Sequence, residues 1–371
     1  MKHILFDITD VTEQRKFMSI PQYKIRLLNA FTKEEIERTT LLVDNCNYEF
    51  ICGLFPQFKL LCIDYSKYIF SKIPYIRRFF RKKIFKKTID NSKCSIFFSA
   101  SDSSVYTSIP LKIPKVIVIH DIKNIKQGTK HLKEIWYNMI EKSISSSNHV
   151  IAISNYTKDD LLNNFSCKKD KITVVYNSVN EIAKSCMPQK TLPDSYILWV
   201  NTLYIYKNIM TLLKAYARIA NFVTQDLVIV AKVNDYWKSI CLPYLKENNI
   251  ESRIHVISGI SDYELRYVYE HADLFVTTST HEGFGYTPIE AAIYKCPVIS
   301  TKCEALADTT QDKFIYLDSP FDDLRLSSLI QDVLSKKEDK NSLVKKADFF
   351  KQKYNVINQK NEILKILDEF S

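Results

Sequence analysis

The stretch "TSTHEGFGYTPIEAAIYKCPVIST", residues 278–301, holds Gly283 and Gly285 one residue apart. The whole chain of 371 residues has only 5 glycines, whereas average usage would give about 26. The preceding "DLFVTTS" predicts a strand, and "TPIEAAIYK" predicts a helix with Thr287 as its N-cap and Pro288 at the first helical position. Both glycines therefore fall in the loop between a strand and a helix.

This loop has the features of a ligand site. In an open α/β sheet, ligands bind outside the carboxyl ends of the strands, and a helix N-terminus there offers N–H groups to an anion. Glycine lets the backbone approach a ligand closely. Glu282 adds a carboxylate that can accept hydrogen bonds from sugar hydroxyls or stabilise positive charge on a reacting centre. Glu290, three residues after Thr287, is explained equally well as part of a helix capping box.

Outside this loop, short β-branched runs alternate with helical stretches, the pattern of a parallel α/β sheet. The first half contains the strands "HILFDI", "KVIVIHD", "HVIAIS" and "KITVVYNSV", together with the helix "SIPQYKIRLLNAF", for which Ser19 and Gln22 form a capping-box pattern. Ser154 is the predicted N-cap of a second helix. Beyond the aperiodic stretch 180–195, a second alternation begins with "YILWV" and "KNIMTLLKAYARIA".

The pattern therefore predicts an α/β fold class, with two Rossmann-like halves joined by a linker. We expect an N-terminal domain over 1–185 and a C-terminal domain over 190–345. The charged segment 346–371 is expected to form a C-terminal helix that packs back towards the N-terminal domain. The roles of the two domains follow from the resemblance described below.

Composition narrows the class of protein. The chain is 46% hydrophobic and 25% charged, which is typical of a globular protein, and no run approaches 18 apolar residues. Its nine cysteines include no CxxC pair or metal-ligand spacing, which favours reduced thiols in the cytoplasm. The chain contains neither a dinucleotide-binding G-x-G-x-x-G nor a P-loop motif. We expect no metal and no cofactor.

The net charge of +10 is concentrated in "KYIFSKIPYIRRFFRKKIFKK", residues 67–87, which carries nine Lys and Arg and no acid. One interpretation is peripheral contact with an anionic membrane, with the cations in the headgroups and the aromatic rings below. A second is a solvated helix whose apolar side faces its own domain. RNA binding is a third, but no nucleic-acid motif accompanies the segment, so a nucleic-acid partner is not expected.

The loop and its neighbours resemble the E-x7-E signature of the retaining GT-B glycosyltransferases, above all glycosyltransferase family 4. The resemblance is carried by "HEGFGYTPIEAAIYKCPVIST", "GISDYELRYVYEHADLFVTTS", "YILWVNTLYIYKNIMTLLKAY" and "VIAISNYTKDDLL…KITVVYNSV", in that family's order. It extends over roughly 149–320, is weak over 1–31 and 115–121, and is absent over 32–114. It implies the GT-B fold, in which two Rossmann-like domains face each other across a cleft, with 1–185 binding the acceptor and 190–345 the nucleotide sugar. It also implies transfer of a hexosyl unit, with retention and without a metal, from a UDP- or GDP-linked sugar.

The same resemblance assigns roles to individual residues. Glu282 would lie at the donor sugar, and the backbone N–H groups of Gly283, Phe284 and Gly285 would surround the sugar and diphosphate. Glu290 would hold the ribose hydroxyls. By local pattern alone, Glu290 remains a capping residue.

Two further positions match the family. Lys207, in "YKN", would stabilise the diphosphate leaving group, and His120, at the end of "KVIVIH", would lie near the donor sugar. Without the resemblance, Lys207 would be a first-turn surface lysine and His120 a structural strand-end histidine.

The resemblance further implies a role in bacterial surface-polysaccharide or lipopolysaccharide synthesis at the inner face of the membrane, with a glycan or lipid-linked acceptor. The sequence departs from the family at Asn201, where glycine is common, and at Thr202 and Tyr206, the candidate positions for a second phosphate-binding cation. The alternatives are a sugar-binding scaffold that has lost its chemistry, and another GT-B enzyme such as a nucleotide-sugar epimerase or a phosphorylase.

Overall fold

The structure is a computed structural model that describes residues 2–65, 74–101, 106–127, 129–336 and 338–370. It consists of two compact units. The first comprises Met1–Ser178 and Val356–Ser371, and the second comprises Val179–Asn355. Each unit is described by itself below.

The first unit contains a parallel sheet of seven strands. They are β1 (Ile4–Asp7), β2 (Thr39–Asp44), β3 (Lys59–Ile63), β4 (Ile96–Ser99), β5 (Lys115–Ile119), β6 (His149–Ala152) and β7 (Ile172–Val174). Their order is β3-β2-β1-β4-β5-β6-β7. Every residue of β1, β4, β5 and β6 is buried, as expected for a parallel sheet covered on both faces.

Helices connect these strands. They are α1 (Ser19–Asn29), α2 (Lys33–Glu37), α3 (Tyr48–Leu54), α4 (Pro74–Asp90), α5 (Lys123–Gln127), α6 (Lys130–Ser145) and α7 (Asn155–Asn164). Ser154 accepts a hydrogen bond from the Thr157 backbone N–H at 3.1 Å, which confirms it as the N-cap of α7. The capping box predicted at Ser19 is wrong, because α1 begins at Ser19 itself and Met18 occupies the N-cap position without a side-chain bond.

The second unit contains a parallel sheet of six strands. They are β8 (Tyr196–Val200), β9 (Asp226–Val230), β10 (Ile254–Ile257), β11 (Leu274–Val276), β12 (Val298–Thr301) and β13 (Ile315–Leu317), in the order β10-β9-β8-β11-β12-β13. The helices are α8 (Ile209–Ile219), α9 (Leu242–Glu247), α10 (Asp262–Glu270), α11 (Tyr286–Ile293), α12 (Ala305–Thr309), α13 (Asp323–Ser335) and α14 (Lys340–Lys353). The α/β fold class is thereby confirmed in both units.

The chain ends in α15 (Val356–Phe370), which belongs to the first unit. Lys360 on its buried face pairs with Glu35 at 2.8 Å, and Arg38 pairs with Asp368 near its end at 2.5 Å. The segment 346–371, expected as one helix, thus contains the end of α14 and all of α15, and the break between them is also the boundary between the units. Within the described ranges, no helix is long and apolar enough to cross a membrane.

Candidate functional site

The candidate site lies at the carboxyl ends of β8 and β11 in the second unit. These strands are neighbours, and the strand order reverses between them, because β9 follows β8 on one side and β12 follows β11 on the other. Such a topological switch point opens a crevice in which open α/β sheets bind their ligands. Lys207 follows β8 in a short 3₁₀ turn, and Glu282 follows β11.

At this switch point Lys207 and Glu282 form an ion pair. The Lys207 Nζ lies 2.6 Å from Glu282 Oε1, and the Ser279 hydroxyl donates to the same oxygen at 2.9 Å. Each side chain of the pair is 11% exposed. The two charges are thus mostly removed from water but still reachable, so an anionic ligand can compete with Glu282 for the lysine.

The backbone at Lys207 is held by its neighbour Asn208, which has φ 51°. The side-chain NH₂ group of Asn208 donates to the carbonyl oxygens of Thr278, at 3.2 Å, and Pro320, at 2.6 Å. Its own side-chain oxygen accepts from Thr211 at 3.1 Å. These bonds tie the turn after β8 to the loop after β11, and so keep Lys207 and Glu282 together.

The loop after β11 ends at Gly285, where α11 begins. Gly285 has φ 85° and occupies the N-cap position, and an added Cβ would come within 2.2 Å of Leu306 Cδ2. The positive φ therefore favours glycine here, and the buried Leu306 side chain would have to move to make room for a Cβ. The predicted N-cap at Thr287 is wrong: the left-handed turn at Gly285 starts the helix at Tyr286 and places Thr287 and Pro288 inside its first turn.

Phe284 anchors this loop to the core of the unit. Its ring packs 4.9 Å from that of Tyr286 and 5.1 Å, edge to face, from that of Tyr354. Its carbonyl oxygen accepts from the Thr309 hydroxyl at 2.6 Å. The residue is only 2% exposed, so any contact of Phe284 with a ligand would use its backbone, in keeping with the N–H role expected from the sequence.

Glu290 lies within α11 and accepts a hydrogen bond from the Tyr269 hydroxyl at 3.0 Å. Burial raises the pKa of Tyr269 well above its usual value, so the phenol stays protonated and acts as the donor. The capping-box alternative for Glu290 is wrong, because Thr287 lies inside the helix. Binding of ribose by Glu290 stays a prediction.

His120 lies in the first unit, directly after β5. Its Nε2 lies 3.1 Å from the Ala100 carbonyl oxygen, and because a carbonyl only accepts, this nitrogen carries a proton. The ring also meets the Tyr23 ring edge to face, with centroids 5.1 Å apart. Its role near a donor sugar stays a prediction.

Sequence reasoning missed Glu304, which lies beyond the end of β12. Its Oε2 accepts the Glu282 backbone N–H at 3.1 Å, and its other carboxylate oxygen pairs with His281 Nδ1. Glu304 has φ 49° and ψ −124°, a backbone conformation that costs a non-glycine residue about 1–3 kcal/mol. One signal was available: β12 is the strand next to β11, so an acid just past its end reaches the same edge of the sheet.

Sequence reasoning also passed over Cys303, a thiol beside this loop. Burial raises the pKa of Cys303 to about 12, and the Sγ donates to the Ser279 carbonyl oxygen at 2.7 Å. The sulfur is therefore a protonated structural thiol rather than a nucleophile. Among the described residues, no group of three or more His, Cys, Asp or Glu side chains is placed to hold a metal ion.

Two family models match the chain. The model described as Glycosyl transferases group 1 matches residues 187–348, and the model described as Glycosyltransferase Family 4 matches residues 55–181. The resemblance to that family is thereby confirmed. It also extends further than the quoted motifs indicated, because the second model covers 55–114, where we expected no resemblance.

Two curated relatives illustrate the similarity. The O-antigen chain mannosyltransferase RfbU of Salmonella typhimurium is 27% identical over 231 residues, which is 62% of this chain and 64% of RfbU. The N-acetylgalactosamine-N,N'-diacetylbacillosaminyl-diphospho-undecaprenol 4-alpha-N-acetylgalactosaminyltransferase of Campylobacter jejuni is 30% identical over 145 residues, 38% of either chain. The chain thus spans less than two thirds of the length of both relatives.

Among solved structures, that of Anabaena Alr3699/HepE in complex with UDP-glucose superposes with a TM-score of 0.74 at 14% identity. The superposition covers 100% of both chains. At this level of identity the likeness concerns the fold, and it confirms the GT-B fold class.

Proposed function

We propose that this GT-B chain of the glycosyltransferase family 4 type transfers a hexosyl unit from a nucleotide sugar to a glycan or lipid-linked glycan in surface-polysaccharide biosynthesis. The observation that carries the proposal is the Lys207–Glu282 ion pair, 2.6 Å long, at the switch point of the second sheet. Glu282 stands in the loop that leads into α11 and Lys207 in the turn after β8, so the site combines a cation with the N-terminal end of a helix, both of which attract an anion.

Lys207 stabilises the departing diphosphate. Breakage of the bond between sugar and phosphate leaves negative charge on the phosphate oxygens, which needs a fixed cation or N–H donors to lower the barrier. Lys207 is in place for this, and its pairing with Glu282 neutralises it before the donor arrives. When the diphosphate takes up the lysine, Glu282 is released towards the donor sugar.

Glu282 then acts at the donor sugar, where its carboxylate stabilises the positive charge that develops as the diphosphate leaves. The acceptor attacks on the same face of the sugar, the leaving phosphate takes its proton, and the anomeric configuration is retained. For His120 we propose the role near the donor sugar that the family resemblance implies. The reaction as proposed uses no metal ion and no cofactor.

The names of the relatives guide the choice of donor. RfbU is a mannosyltransferase, and the Anabaena structure contains UDP-glucose. We therefore propose GDP-mannose and UDP-glucose as the first donors to test, with Glu290 holding the ribose. The Campylobacter relative acts on a diphospho-undecaprenol-linked sugar, which supports a lipid-linked acceptor.

A lipid-linked acceptor places the enzyme in the cytoplasm at the inner face of the membrane. Residues 67–73 of the basic segment lie outside the described residues, whereas its remainder forms most of α4. There Arg78, Lys83 and Lys87 are exposed, and Phe79 is 64% exposed among them. An exposed aromatic ring among cations supports contact with an anionic bilayer.

Thermal unfolding tests the donor site. We expect one of UDP, GDP, ADP and CMP to raise the unfolding midpoint, with and without EDTA. A ligand at 100 times its Kd stabilises the native state by about 2.7 kcal/mol, which for a unit of this size is a shift of roughly 5–10 °C. Glu290→Ala should abolish the shift, whereas Glu251→Ala, which removes an exposed carboxylate of the same unit, should leave it intact.

Two further measurements test retention of configuration and independence of a metal ion. With UDP-glucose or GDP-mannose alone, transfer to water should release the sugar in the anomeric configuration of the donor, which proton NMR detects before the anomers equilibrate. Release of the opposite anomer would contradict retention. Loss of the nucleotide shift in EDTA would contradict metal independence.

The second candidate function is a sugar-binding scaffold without transfer. It is favoured by one observation: residues 201–206, between β8 and Lys207, contain no basic residue, and Tyr206 places its ring 5.2 Å from the Lys207 Nζ instead. If no nucleotide shifts the midpoint and a soluble polysaccharide does, this function replaces the first.

A further inference from the structure

The backbone of Glu282 is held from two sides by one tight turn. The turn spans Cys303 to Leu306, closed by a hydrogen bond of 3.0 Å from the Leu306 N–H to the Cys303 carbonyl oxygen. The Ala305 N–H donates to the Glu282 carbonyl oxygen at 3.3 Å, and the Glu304 carboxylate accepts the Glu282 N–H at 3.1 Å. Both polar groups of the Glu282 peptide backbone are therefore fixed by this turn.

The residue at the first central position of the turn is chemically unexpected. The Glu304 backbone angles, φ 49° and ψ −124°, are those of the first central residue of a type II′ turn, where glycine is preferred. A glycine would form the same turn and keep the Ala305 bond without strain. The carboxylate thus opposes the local conformational preference, and it contacts the loop that carries Glu282.

The second oxygen of Glu304 shows how the carboxylate is oriented. It pairs with His281 Nδ1, from the residue immediately before Glu282. The His281 and Glu304 side chains are 13% and 16% exposed, so the contact is shielded from most of the solvent. One carboxylate therefore bridges the side chain of His281 and the backbone of Glu282.

The Glu282 side chain is held on the opposite side by Lys207 and Ser279. When a donor diphosphate binds Lys207, the contact between Lys207 and Glu282 is lost and the one from Ser279 remains. The direction of the Glu282 side chain then depends more strongly on its backbone. We propose that Glu304, through its paired contacts with His281 and the Glu282 N–H, is a positioning residue that keeps Glu282 aimed at the donor sugar once Lys207 has changed partner. This inference rests on the proposed function and assigns to Glu304 a role in that same site.

Glu304→Gly is the decisive variant, because it removes the carboxylate and relieves the backbone at the same time. We expect an unfolding midpoint equal to or above that of the wild type. We also expect kcat for nucleotide release from UDP-glucose or GDP-mannose, whichever the wild type uses, to fall by about tenfold or more while KM stays within about twofold, the pattern of an interaction needed mainly in the transition state.

Glu304→Gln is the conservative counterpart. Its amide oxygen can still accept the Glu282 N–H, and its NH₂ can face His281 in the tautomer that accepts at Nδ1. We expect it to recover kcat to within about threefold of the wild type, since the geometry is kept while only the charge is lost. Asn249→Gly is the matched backbone control: Asn249 also has a positive φ, of 55°, in an exposed position of the same unit, and its replacement should leave kcat and KM unchanged.

Three results would overturn the proposal: wild-type kcat in Glu304→Gly, a rise in KM alone, or a loss of kcat that accompanies a lowered midpoint and is shared by Asn249→Gly. Hydrogen exchange supplies a readout that needs no turnover. The Glu282 amide should exchange at least about tenfold faster in Glu304→Gly than in the wild type or Glu304→Gln, because its acceptor is gone. If the wild type turns over no nucleotide sugar, the proposed function fails, whereas unchanged exchange of this amide refutes the positioning contact itself.

Discussion

The two units share one strand order around their first strand but close their switch points differently. In the first unit, β1 and β4 end in Asp7 and Ser99, whose side chains are joined by a hydrogen bond of 2.9 Å and are 1% and 0% exposed. In the second unit, the equivalent strands β8 and β11 lead to Lys207 and Glu282, joined as an ion pair that is 11% exposed on both sides.

The comparison shows that the same strand order forms a crevice in each unit, whereas the side chains at the strand ends determine whether it can bind a charged ligand. Asp7 accepts hydrogen bonds from neutral donors: Thr9 donates to Oδ1 through both its N–H and its hydroxyl, and Ser99 donates to Oδ2. These bonds hold β1 against β4, and none of them joins Asp7 to a charged partner that a ligand could replace. The Lys207–Glu282 pair can exchange one charged partner for a ligand.

The largest expected effect tests this contrast directly. Glu282→Gln should lower nucleotide release from the donor by about 10²–10³-fold, the range seen when one group that stabilises transition-state charge is removed. Its unfolding midpoint should stay close to that of the wild type, because the glutamine oxygen can still accept from Ser279.

Asp7→Asn is the matched substitution in the first unit. It places an NH₂ group opposite hydroxyl and N–H donors, so it should cost about 1–3 kcal/mol of folding free energy, measured by urea unfolding. The proposed difference between the two units is refuted if Asp7→Asn leaves the free energy of unfolding unchanged. It is also refuted if Glu282→Gln lowers that free energy as much as Asp7→Asn does.

A second prediction concerns the glycine that starts α11. Gly285→Ala combines a positive φ with a methyl group that would lie 2.2 Å from Leu306 Cδ2, so we expect a loss of roughly 2–4 kcal/mol in the free energy of unfolding. Gly259→Ala is the control, since its φ is 73° and nothing lies within 4 Å of the added Cβ. It should cost only about 1–2 kcal/mol. Equal losses in the two variants would mean that the Leu306 side chain moves to accommodate the added methyl group at little cost in free energy.

The smallest expected effect concerns the pH dependence of stability that one buried lysine causes. Lys115 in the first unit donates to the carbonyl oxygens of Thr107 and Ile109 and to the Ser146 hydroxyl, and burial lowers its pKa to about 7. Between about pH 7 and its unfolded value of 10.5, the unfolded chain therefore binds more protons than the native one. This contribution to stability is fully present above that range and is lost as the pH falls to about 7.

Stability should consequently rise with pH between pH 7 and 9.5, by at most about 1.4 kcal/mol per unit from this group. Urea unfolding of the wild type and Lys115→Met, measured across that interval, checks the sign, because the variant should lack this contribution. A slope that is the same in both proteins would mean that Lys115 stays charged when buried.

The alternation of short apolar runs and helical stretches was sufficient to predict α/β units, the strands at 115–121 and 149–154, and the placement of Glu282 after a strand end. The region 32–114 was not assigned any strand, yet it contains β2, β3 and β4. Two of these are hard to recognise: β3 is an edge strand and mostly half-exposed, and β4 has only 4 residues. Neither offers a clear alternation to a sequence pattern.

The start of α11 shows a different limit. Thr287 and Pro288 are residue types that begin helices, but Gly285, with a φ of 85°, occupies the N-cap position and the helix starts at Tyr286. The residue types at 287 and 288 therefore did not decide where the helix begins. The same holds at Glu304, where a residue unsuited to its turn is kept in contact with the loop that carries Glu282.

The sequence by itself determined which residues of this protein stand at the ends of strands, because the period of apolar residues marks where each strand stops. It also determined which functional groups stand near these strand ends: the carboxylates of Glu282 and Glu290, the amino group of Lys207, and the closely spaced Gly283 and Gly285. Only the tertiary structure decided that Lys207 and Glu282 meet, and that Glu304 holds the backbone N–H of Glu282. Strand order brings together residues that are 75 positions apart, and no local pattern encodes that order.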